Sequence, residues 1–451
     1  MPRDADELVR LPAHRLAVLL CQGRLSAEEL TRAFLGRIAL REPEVQAWTF
    51  LDPDHALSQA RQRDADRRAG RPQGPLHGLP VGIKDIVDTA DMPTENGTVL
   101  MAGRRPGRDA AVVERLRAAG AVIMGKTVTT ELAVYTPGKT RNPHDLGHTP
   151  GGSSSGSAAA VADHMVPLAI GSQTHGSTIR PASYCGVLGF KPSFGRISRS
   201  GVLVQSDLLD HVGLFANDLV DLAMLAEPLM GHDARDPATA PVARPDLRAV
   251  LEADWPLAPT FAFVRTPIWG RAEPDLVAAF AELVEALGGQ VREAALPASF
   301  ERAHHWHALI HESDIADSFG SLYERGAAGL SPTLRQMIER GREHRAHDYI
   351  EARRQVARLR RELEPVFEWA DAILTPAATG TAPAGLGSTG SPHFCTIWTL
   401  LGLPALGLPL LEGGDGLPIG VQLVGPPGDD ARLLRHARWL ARRVASQSGE
   451  A

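Results

Sequence analysis

Three segments of the chain contain the residue types that nucleophilic catalysis uses. Residues 77–85 (HGLPVGIKD) end on a short apolar run that carries Lys84, and residues 149–160 (TPGGSSSGSAAA) and 171–183 (GSQTHGSTIRPAS) are rich in glycine and serine. A serine hydroxyl attacks a carbonyl carbon well only when a base within hydrogen-bonding distance takes its proton. A lysine can be that base when burial lowers its pKa from the usual value of about 10.4. The three segments therefore contain the parts of a serine hydrolase with a lysine base.

The patterns around these segments predict alternating strands and helices that would hold them in place. The apolar run 79–83 is a strand candidate with Lys84 at its end, and Gly120 is placed to end an amphipathic helix. The predicted elements of this region are strands at 79–83, 121–124, 166–170 and 186–190, and helices at 111–119 and 157–162.

The remainder of the chain shows the same alternation. Ser26 and Glu29 form a capping-box pattern within a region, 5–45, that reads as helical. The other predicted elements are helices at 54–69, 274–288, 301–325, 333–368 and 429–445, a connector at 228–256, and strands at 372–375, 403–411 and 419–424. Alternating helices and short apolar strands predict a mixed α/β sheet layered by helices.

Composition excludes several classes of protein. The chain has 451 residues, 43% of them hydrophobic and 22% charged, with a formal net charge of -6. Without a basic stretch, a nucleic-acid partner is not expected. Three widely spaced cysteines favour a reducing compartment, the polar N-terminus argues against a secretory signal, and no apolar run is long enough to predict a membrane span. We therefore expect a cytoplasmic protein.

Together the three segments resemble the amidase signature family. Ser153 and Ser177 are 24 residues apart, which agrees with that family's spacing. The resemblance covers roughly residues 25–440 and includes residues 185–192 (CGVLGFKP), 402–405 (GLPA) and 420–425 (GVQLVG). It implies an amidase-signature α/β fold, with a central twisted mixed β-sheet covered by helices on both faces. It requires no organic cofactor or metal, and homodimers are common in the family.

The resemblance also implies one amidase domain over residues 1–451, in four parts. These are an N-terminal helical segment 1–70, a catalytic signature region 71–227, a variable substrate-entrance region 228–345, and a C-terminal part 346–451 that completes the sheet and adds closing helices.

The family's catalytic roles carry over to three residues. Ser177 matches the nucleophile, Lys84 the base, and Ser153, which follows a cis peptide bond in the family, the serine that relays the proton between them. The backbone N–H groups of Thr174, His175, Gly176 and Ser177 match the oxyanion hole. The implied reaction forms an acyl-enzyme on Ser177, releases ammonia or an amine, and ends with hydrolysis.

Two departures from the family pattern affect the expected substrate. The commoner motif Asp-Thr-Gly-Gly-Ser is replaced by Gln173 through Ser177, with His175 at a position usually held by a small residue. His175 could narrow the acyl pocket, offer a polar contact, or distort the hole. We predict that Tyr135, Gln173, His175 and Trp398 contact substrate, with core packing an equal alternative for Tyr135 and Trp398.

A histidine-rich stretch over 304–312 is the one metal-like pattern. His307 and His311 are four residues apart and could share a helix face, as two metal ligands would. The zinc-protease pattern His-Glu-x-x-His is absent, however, and no third ligand is fixed by spacing. The sequence therefore predicts no metal site here.

Three hypotheses for the function remain at this point. The first is an amidohydrolase that acts on a small primary, aryl or alkyl amide. The second is the glutamine-hydrolysing subunit of a tRNA-dependent amidotransferase, which would need partner proteins and from which Gln173 and His175 point away. The third is a catalytically silent scaffold of the same fold, which the intact Lys84, Ser153 and Ser177 disfavour.

Overall fold

One mixed sheet runs through the part of the chain that the structure describes, residues 5–255 and 257–447 of a computed structural model. The ends of the predicted N- and C-terminal parts (1–4 and 448–451) and the last residue of the predicted connector (256) lie outside these residues. The four-part division of the domain stays a prediction.

The described sheet has eleven strands. In chain order they are β1 Trp48–Leu51, β2 Pro80–Lys84, β3 Val122–Thr127, β4 Leu168–Gln173, β5 Leu188–Lys191, β6 His211–Ala216, β7 Phe261–Phe263, β8 Val291–Glu293, β9 Ala372–Pro376, β10 Ala405–Glu412 and β11 Pro418–Val424. Across the sheet the order is β1-β3-β2-β4-β6-β5-β10-β11-β9-β7-β8.

The sheet combines parallel and antiparallel pairs, which confirms the predicted fold class. Strand β2 runs parallel to both β3 and β4, whereas β6, β5, β10 and β11 form antiparallel pairs with their neighbours. Every residue of β2, β3, β4, β5 and β6 is buried. Strands without an exposed face must be covered on both sides, which explains why they read as continuous apolar runs rather than alternating ones.

The described helices surround this sheet. In chain order they are α1 Ala5–Val9, α2 Ala13–Cys21, α3 Ala27–Val45, α4 Pro53–Arg68, α5 Ala111–Ala118, α6 Ser155–Ala162, α7 Ile179–Tyr184, α8 Leu219–Leu229, α9 Leu247–Glu252, α10 Pro274–Leu287, α11 Ala303–Gly326, α12 Pro332–Glu343, α13 Ala346–Phe367, α14 His393–Leu400 and α15 Asp430–Gln447.

Local signals in the sequence account for where several helices begin and end. The capping box is confirmed: Ser26 Oγ accepts a hydrogen bond from the Glu29 N–H at 3.1 Å, and the Glu29 carboxylate accepts one from the Ser26 N–H at 2.9 Å. Gly120 follows α5 with a φ of +88°, a left-handed conformation that glycine adopts without strain.

The predicted helix at 333–368 is wrong, because the structure divides it into α12 and α13. His344 and Arg345 between them are extended, with ψ of 134° and 144°. Neither glycine nor proline marks this break. Instead, Glu312 on α11 binds both His344, at 3.0 Å, and Arg340, at 2.6 Å, so the interruption is set by a tertiary contact.

Several short elements have no counterpart in the prediction. They are strands β1, β6, β7 and β8 and helices α7, α8, α9 and α14, of which α9 lies within the predicted connector 228–256. Strands β7 and β8 are three residues each and so give no long apolar run, whereas β6 continues from His211 into the apolar run 212–216, which the prediction missed. Every described helix is either too short or too polar to pass through a lipid bilayer.

Two glycines test how tightly α6 lies against the sheet. A Cβ atom on Gly156 would lie 2.2 Å from the Ala47 carbonyl oxygen and 2.4 Å from the Val128 nitrogen, whereas Gly36 in α3 has nothing within 4 Å. We expect Gly156→Ala to lower the free energy of unfolding by about 1–3 kcal/mol or more, because the backbone must separate. Gly36→Ala, the matched control, should raise it by about 0.5–1 kcal/mol. Urea unfolding measures both, and an unchanged stability of Gly156→Ala would contradict the close packing.

Candidate functional site

Lys84 lies at the carboxyl end of β2, beside the end of the parallel strand β4. Its side chain is 0% exposed, and its Nζ donates hydrogen bonds to Ser153 Oγ at 2.6 Å and to Ser172 Oγ at 2.8 Å. Because β2 and β4 run parallel, their carboxyl ends meet at one edge of the sheet. That geometry brings the lysine to Ser172 on β4, and the turn before α6 adds Ser153.

Burial controls the charge of this lysine. Loss of hydration lowers the pKa of Lys84 well below 10.5, while the nearby carboxylate of Asp210 raises it and the guanidinium of Arg180 lowers it. An amine with a lowered pKa can be uncharged at neutral pH and accept a proton.

Ser153 lies in the glycine-rich turn before α6. The peptide bond between Gly152 and Ser153 is cis. The hydroxyl of the next residue, Ser154, bonds to the backbone N–H and carbonyl of Ser172, each at 3.2 Å. The turn is therefore fastened to the strand whose end contributes Ser172.

Ser177 lies between β4 and α7, and Arg180 links its loop to that of Ser153. The Arg180 guanidinium donates to the carbonyl oxygens of Gly152, at 2.6 Å, and Gly390, and its backbone N–H donates to the carbonyl of Gly176 at 3.0 Å. Exposure rises from 0% at Lys84 to 2% at Ser153 and 7% at Ser177. Within the described part of the chain the Ser177 hydroxyl forms no hydrogen bond, and it is the most accessible of the three.

In the loop 174–177 the backbone carbonyls and the backbone N–H groups differ in whether they have hydrogen-bond partners. Three of its four carbonyls are held by hydrogen bonds: Thr174 O accepts from His307 Nε2 at 3.0 Å, and His175 O accepts from Thr399 Oγ1 at 2.8 Å. The third, Gly176 O, accepts from the N–H of Arg180. By contrast, among the described residues no acceptor is bonded to the N–H groups of the four loop residues. Four adjacent free donors beside a serine have the character of an oxyanion hole.

Gln173 and Trp398 are buried rather than on an open surface, Gln173 beside this loop and Trp398 in a hydrophobic cluster. The side-chain oxygen of Gln173 accepts from the N–H groups of Thr178, at 2.8 Å, and Ile179, at 3.0 Å, and its amide nitrogen donates to Thr399 at 3.0 Å. Both Gln173 and Trp398 are 0% exposed. The structure therefore places them where they support the loop and the core, and their predicted contact with substrate stays a prediction.

Tyr135 and His175 line a cavity of about 190 Å³. We call this the histidine cavity; it also contains His304, His307, His311, His393 and Thr396 in its wall. Tyr135 Oη lies 2.7 Å from His175 Nδ1, and Thr396 Oγ1 lies 2.5 Å from His175 Nε2.

The histidines of this cavity are neutral at physiological pH. Burial is the main cause: it lowers the pKa of His307 to about 3, that of His311 to about 4, and that of His175 well below 6.5. Neighbouring imidazoles lower the pKa of His175 and His307 further, whereas Glu312 raises that of His311. Burial also raises the pKa of the Tyr135 hydroxyl to about 12.

A carboxylate that the sequence did not suggest lies on the other side of the loop. Asp210 accepts a hydrogen bond from Thr174 Oγ1 at 2.6 Å and others from the N–H groups of Gln205 and Ser206. Burial raises its pKa to about 6. It lines a second cavity, of about 300 Å³, together with Ser172. No sequence motif contains Asp210, because the fold alone brings it to the loop.

The sequence and structure resemble those of known amide-cleaving proteins. A family model described as Amidase matches residues 29–434. A curated relative from Chloroflexus aggregans, named as one of the subunits of glutamyl-tRNA(Gln) amidotransferase, is 35% identical over 95% of this chain and 95% of its own length.

Two solved structures show the same fold. One, described as an unexpected vestigial protein complex that reveals the origins of an s-triazine catabolic enzyme, matches at a TM-score of 0.89 with 28% identity, covering 97% of this chain and 99% of its own. The native peptide amidase of Stenotrophomonas maltophilia matches at a TM-score of 0.85 with 28% identity, covering 96% and 97%.

The buried amine at position 84 predicts a distinctive dependence of stability on pH. The folded protein holds Lys84 unprotonated above its lowered pKa, whereas the unfolded chain binds that proton up to about pH 10.5. Since the unfolded state then binds more protons, stability should rise with pH over this window. Relative to Lys84→Met, we expect wild-type stability to increase by about 1.4 kcal/mol per pH unit.

Urea unfolding across this pH window measures the difference. Lys139→Met is the matched control, because Lys139 is half exposed and its loss should give a difference that does not change with pH. Parallel stability curves for wild type and Lys84→Met would show that Lys84 is charged in the folded protein.

Proposed function

The chain belongs to the amidase signature family and hydrolyses carbon–nitrogen bonds, and from this premise we propose that its substrate is a small uncharged carboxamide. The products are the carboxylic acid and ammonia or an amine. Ser177, Ser153 and Lys84 carry the reaction, with an acyl-enzyme on Ser177 as the intermediate.

The proposed cycle runs from Ser177 through Ser153 to Lys84, and its second link is the Lys84–Ser153 hydrogen bond of 2.6 Å. The Ser177 oxygen attacks the carbonyl carbon while its proton passes through the Ser153 hydroxyl to the Lys84 amine. The proton then goes to the departing nitrogen as the carbon–nitrogen bond breaks. Water, activated by the same pair, attacks the ester on Ser177 and releases the acid.

The observation that carries this proposal is the loop 174–177. Within the described residues its four N–H groups have no acceptor, while the carbonyls of Thr174, His175 and Gly176 are held by other groups. A carbonyl oxygen that becomes negative in the transition state needs such preorganised donors, and one donor is worth about 10²–10³ in rate.

We take the histidine cavity as the substrate pocket because His175 of the loop 174–177 lines it, and its wall favours an uncharged substrate. Glu312 and Arg340 are the formally charged residues among the described lining residues, and they pair with each other at 2.6 Å. The remaining polar groups are imidazoles, hydroxyls and an amide. A zwitterionic amino acid would find no free countercharge there, so a neutral amide fits better.

The second candidate is a glutamine-hydrolysing component of a tRNA-dependent amidotransferase. The 35% identity to a protein of that name favours it. The paired Glu312 and Arg340 and the position of His175 count against glutamine as the substrate. Ammonia release from a panel that includes glutamine separates the two: a specificity for glutamine with partner proteins present would favour the amidotransferase.

Other features implied by the resemblance stay predictions. They are a homodimer, a cytoplasmic location, and amide hydrolysis that requires no metal or organic cofactor.

The identity of the nucleophile can be tested by covalent labelling. A fluorophosphonate should attach to Ser177 alone, and Ser177→Ala should lose the label and at least about 10³-fold in kcat/KM, because no other group can form the ester. Peptide mass spectrometry locates the adduct, and ammonia release from neutral amides measures the rate.

Ser299→Ala is the control, since Ser299 bonds to Glu362 away from the site and should keep both label and activity. A well-folded Ser177→Ala protein with wild-type rates would refute the assignment. A folded wild-type protein with neither label nor turnover would favour the silent scaffold.

Asp210 should set the pH dependence of the reaction. Its negative charge raises the pKa of Lys84, so Asp210→Asn should lower that pKa further. Because the base must be unprotonated, the acid limb of the kcat/KM profile should move to lower pH. Asp207→Asn, in the wall of the same cavity, is the control and should leave the limb in place. A limb shifted to higher pH in Asp210→Asn would contradict the role assigned to this carboxylate.

A further inference from the structure

Three buried imidazoles meet at the floor of the histidine cavity, and we propose that His175, His307 and His311 form a binding site for a divalent metal of the zinc type. His307 and His311 are four residues apart on α11, and His175 comes from the loop 174–177. One ring nitrogen from each lies within 4.8 Å of the other two, and all three residues are buried. The third ligand, which sequence spacing did not supply, is thus provided by the fold.

Hydrogen bonds fix the tautomers of the two helix histidines. His307 Nε2 lies 3.0 Å from the carbonyl of Thr174, which can only accept, so this nitrogen carries the hydrogen. His311 Nε2 lies 3.0 Å from the side-chain oxygen of Gln205, and Gln205 is oriented because its amide nitrogen donates to the carbonyl of Leu132 at 2.7 Å. Each ring therefore has its lone pair on Nδ1.

These two lone pairs are available to a ligand. Among the described residues, no hydrogen bond uses the Nδ1 atom of His307 or of His311, and both residues line the cavity. A histidine that donates its other N–H to a carbonyl oxygen is the usual outer arrangement of a metal ligand, because this bond fixes the ring and raises its basicity.

His175 must lose one of its present hydrogen bonds before it can bind a metal. Its two nitrogens contact hydroxyls, Tyr135 Oη at 2.7 Å and Thr396 Oγ1 at 2.5 Å. One of these hydroxyls must donate to the ring's lone pair, and a metal would replace that hydrogen bond. Because the hydroxyl oxygen lies where the metal would bind, the side chain of Thr396 or Tyr135 must also turn away from the ring, in addition to the loss of one neutral hydrogen bond, about 0.5–1.5 kcal/mol.

The donor set indicates which metal fits. Three imidazoles with an open fourth position are a known zinc arrangement, and imidazole also suits copper, nickel and cobalt. The described wall of the cavity contains no thiolate, which disfavours the softer Cu(I). Its volume of about 190 Å³ leaves room for water as the fourth ligand.

Cobalt(II) provides a direct test, because its visible absorption reports its coordination. The full chain, stripped with a chelator and dialysed, is titrated with CoCl₂. We expect one equivalent to produce the intense visible bands of four- or five-coordinate cobalt, and one equivalent of ZnCl₂ to remove them. A spectrum no different from that of aqueous cobalt would overturn the proposal.

Single substitutions localise the site. His307→Gln and His311→Gln should each raise the Kd for Co²⁺ by more than the roughly 10–100-fold that loss of an outer partner costs. His305→Gln is the matched control, because His305 is on the same helix but exposed, and it should bind as the wild type does. Circular dichroism checks the fold. Equal affinity in all three variants would mean that surface histidines bind the cobalt, which would also overturn the proposal.

Metal binding should change the rate of the proposed reaction, because two of the three histidines are connected to the loop 174–177. His175 contributes one of the four free N–H groups, and His307 holds the carbonyl of Thr174, so a metal drawing these rings together would shift the donors. This step rests on the proposed function. Zn²⁺ should then lower kcat in the wild type and in His305→Gln, but not in His311→Gln. Cobalt binding without any change in kcat would overturn this coupling alone, because the absorption does not depend on turnover.

Discussion

The removal of the Lys84 amine from water is the constraint on which the rest of the site depends. An amine in water is charged at neutral pH and useless as a base, so the chain must exclude water from it on every side. The central sheet does this because the strands β2, β3 and β4 are buried over their whole length. Parallel pairing of β2 with β4 places the Ser172 hydroxyl against the buried nitrogen, and the turn that Ser154 fastens to β4 adds the Ser153 hydroxyl. The same burial that stabilises the central sheet thus also makes the Lys84 amine a usable base.

A second constraint is the orientation of the peptide groups in the loop 174–177. A peptide group that points its carbonyl one way must point its N–H the other, so holding the carbonyls of Thr174 and His175 is a way of aiming donors. The residues that hold them, His307 and Thr399, come from α11 and α14, far along the chain. Helices that lie outside the signature segments therefore contribute to the site without supplying a reacting atom.

The sequence was informative where the cause of structure is local. The apolar run before Lys84 predicted a buried strand, and Ser26 with Glu29 predicted a helix start, because burial and capping depend on neighbours in the chain. It was uninformative where the cause is tertiary. Nothing near Asp210 or Thr399 indicates that they reach the loop, and nothing near His344 marks a helix end, since each depends on a contact with a distant segment.

The connection between Gln173 and Thr399 has a consequence for how the protein becomes active during synthesis. The two residues are 226 positions apart, and β10 and β11 complete the middle of the sheet from the last tenth of the chain. A nascent chain that already contains Lys84, Ser153 and Ser177 still lacks Thr399, which bonds to Gln173 beside the loop 174–177. The support of the loop 174–177 therefore depends on a residue far downstream of the segments that contain Lys84, Ser153 and Ser177, and a fragment that stops before Thr399 lacks that hydrogen bond.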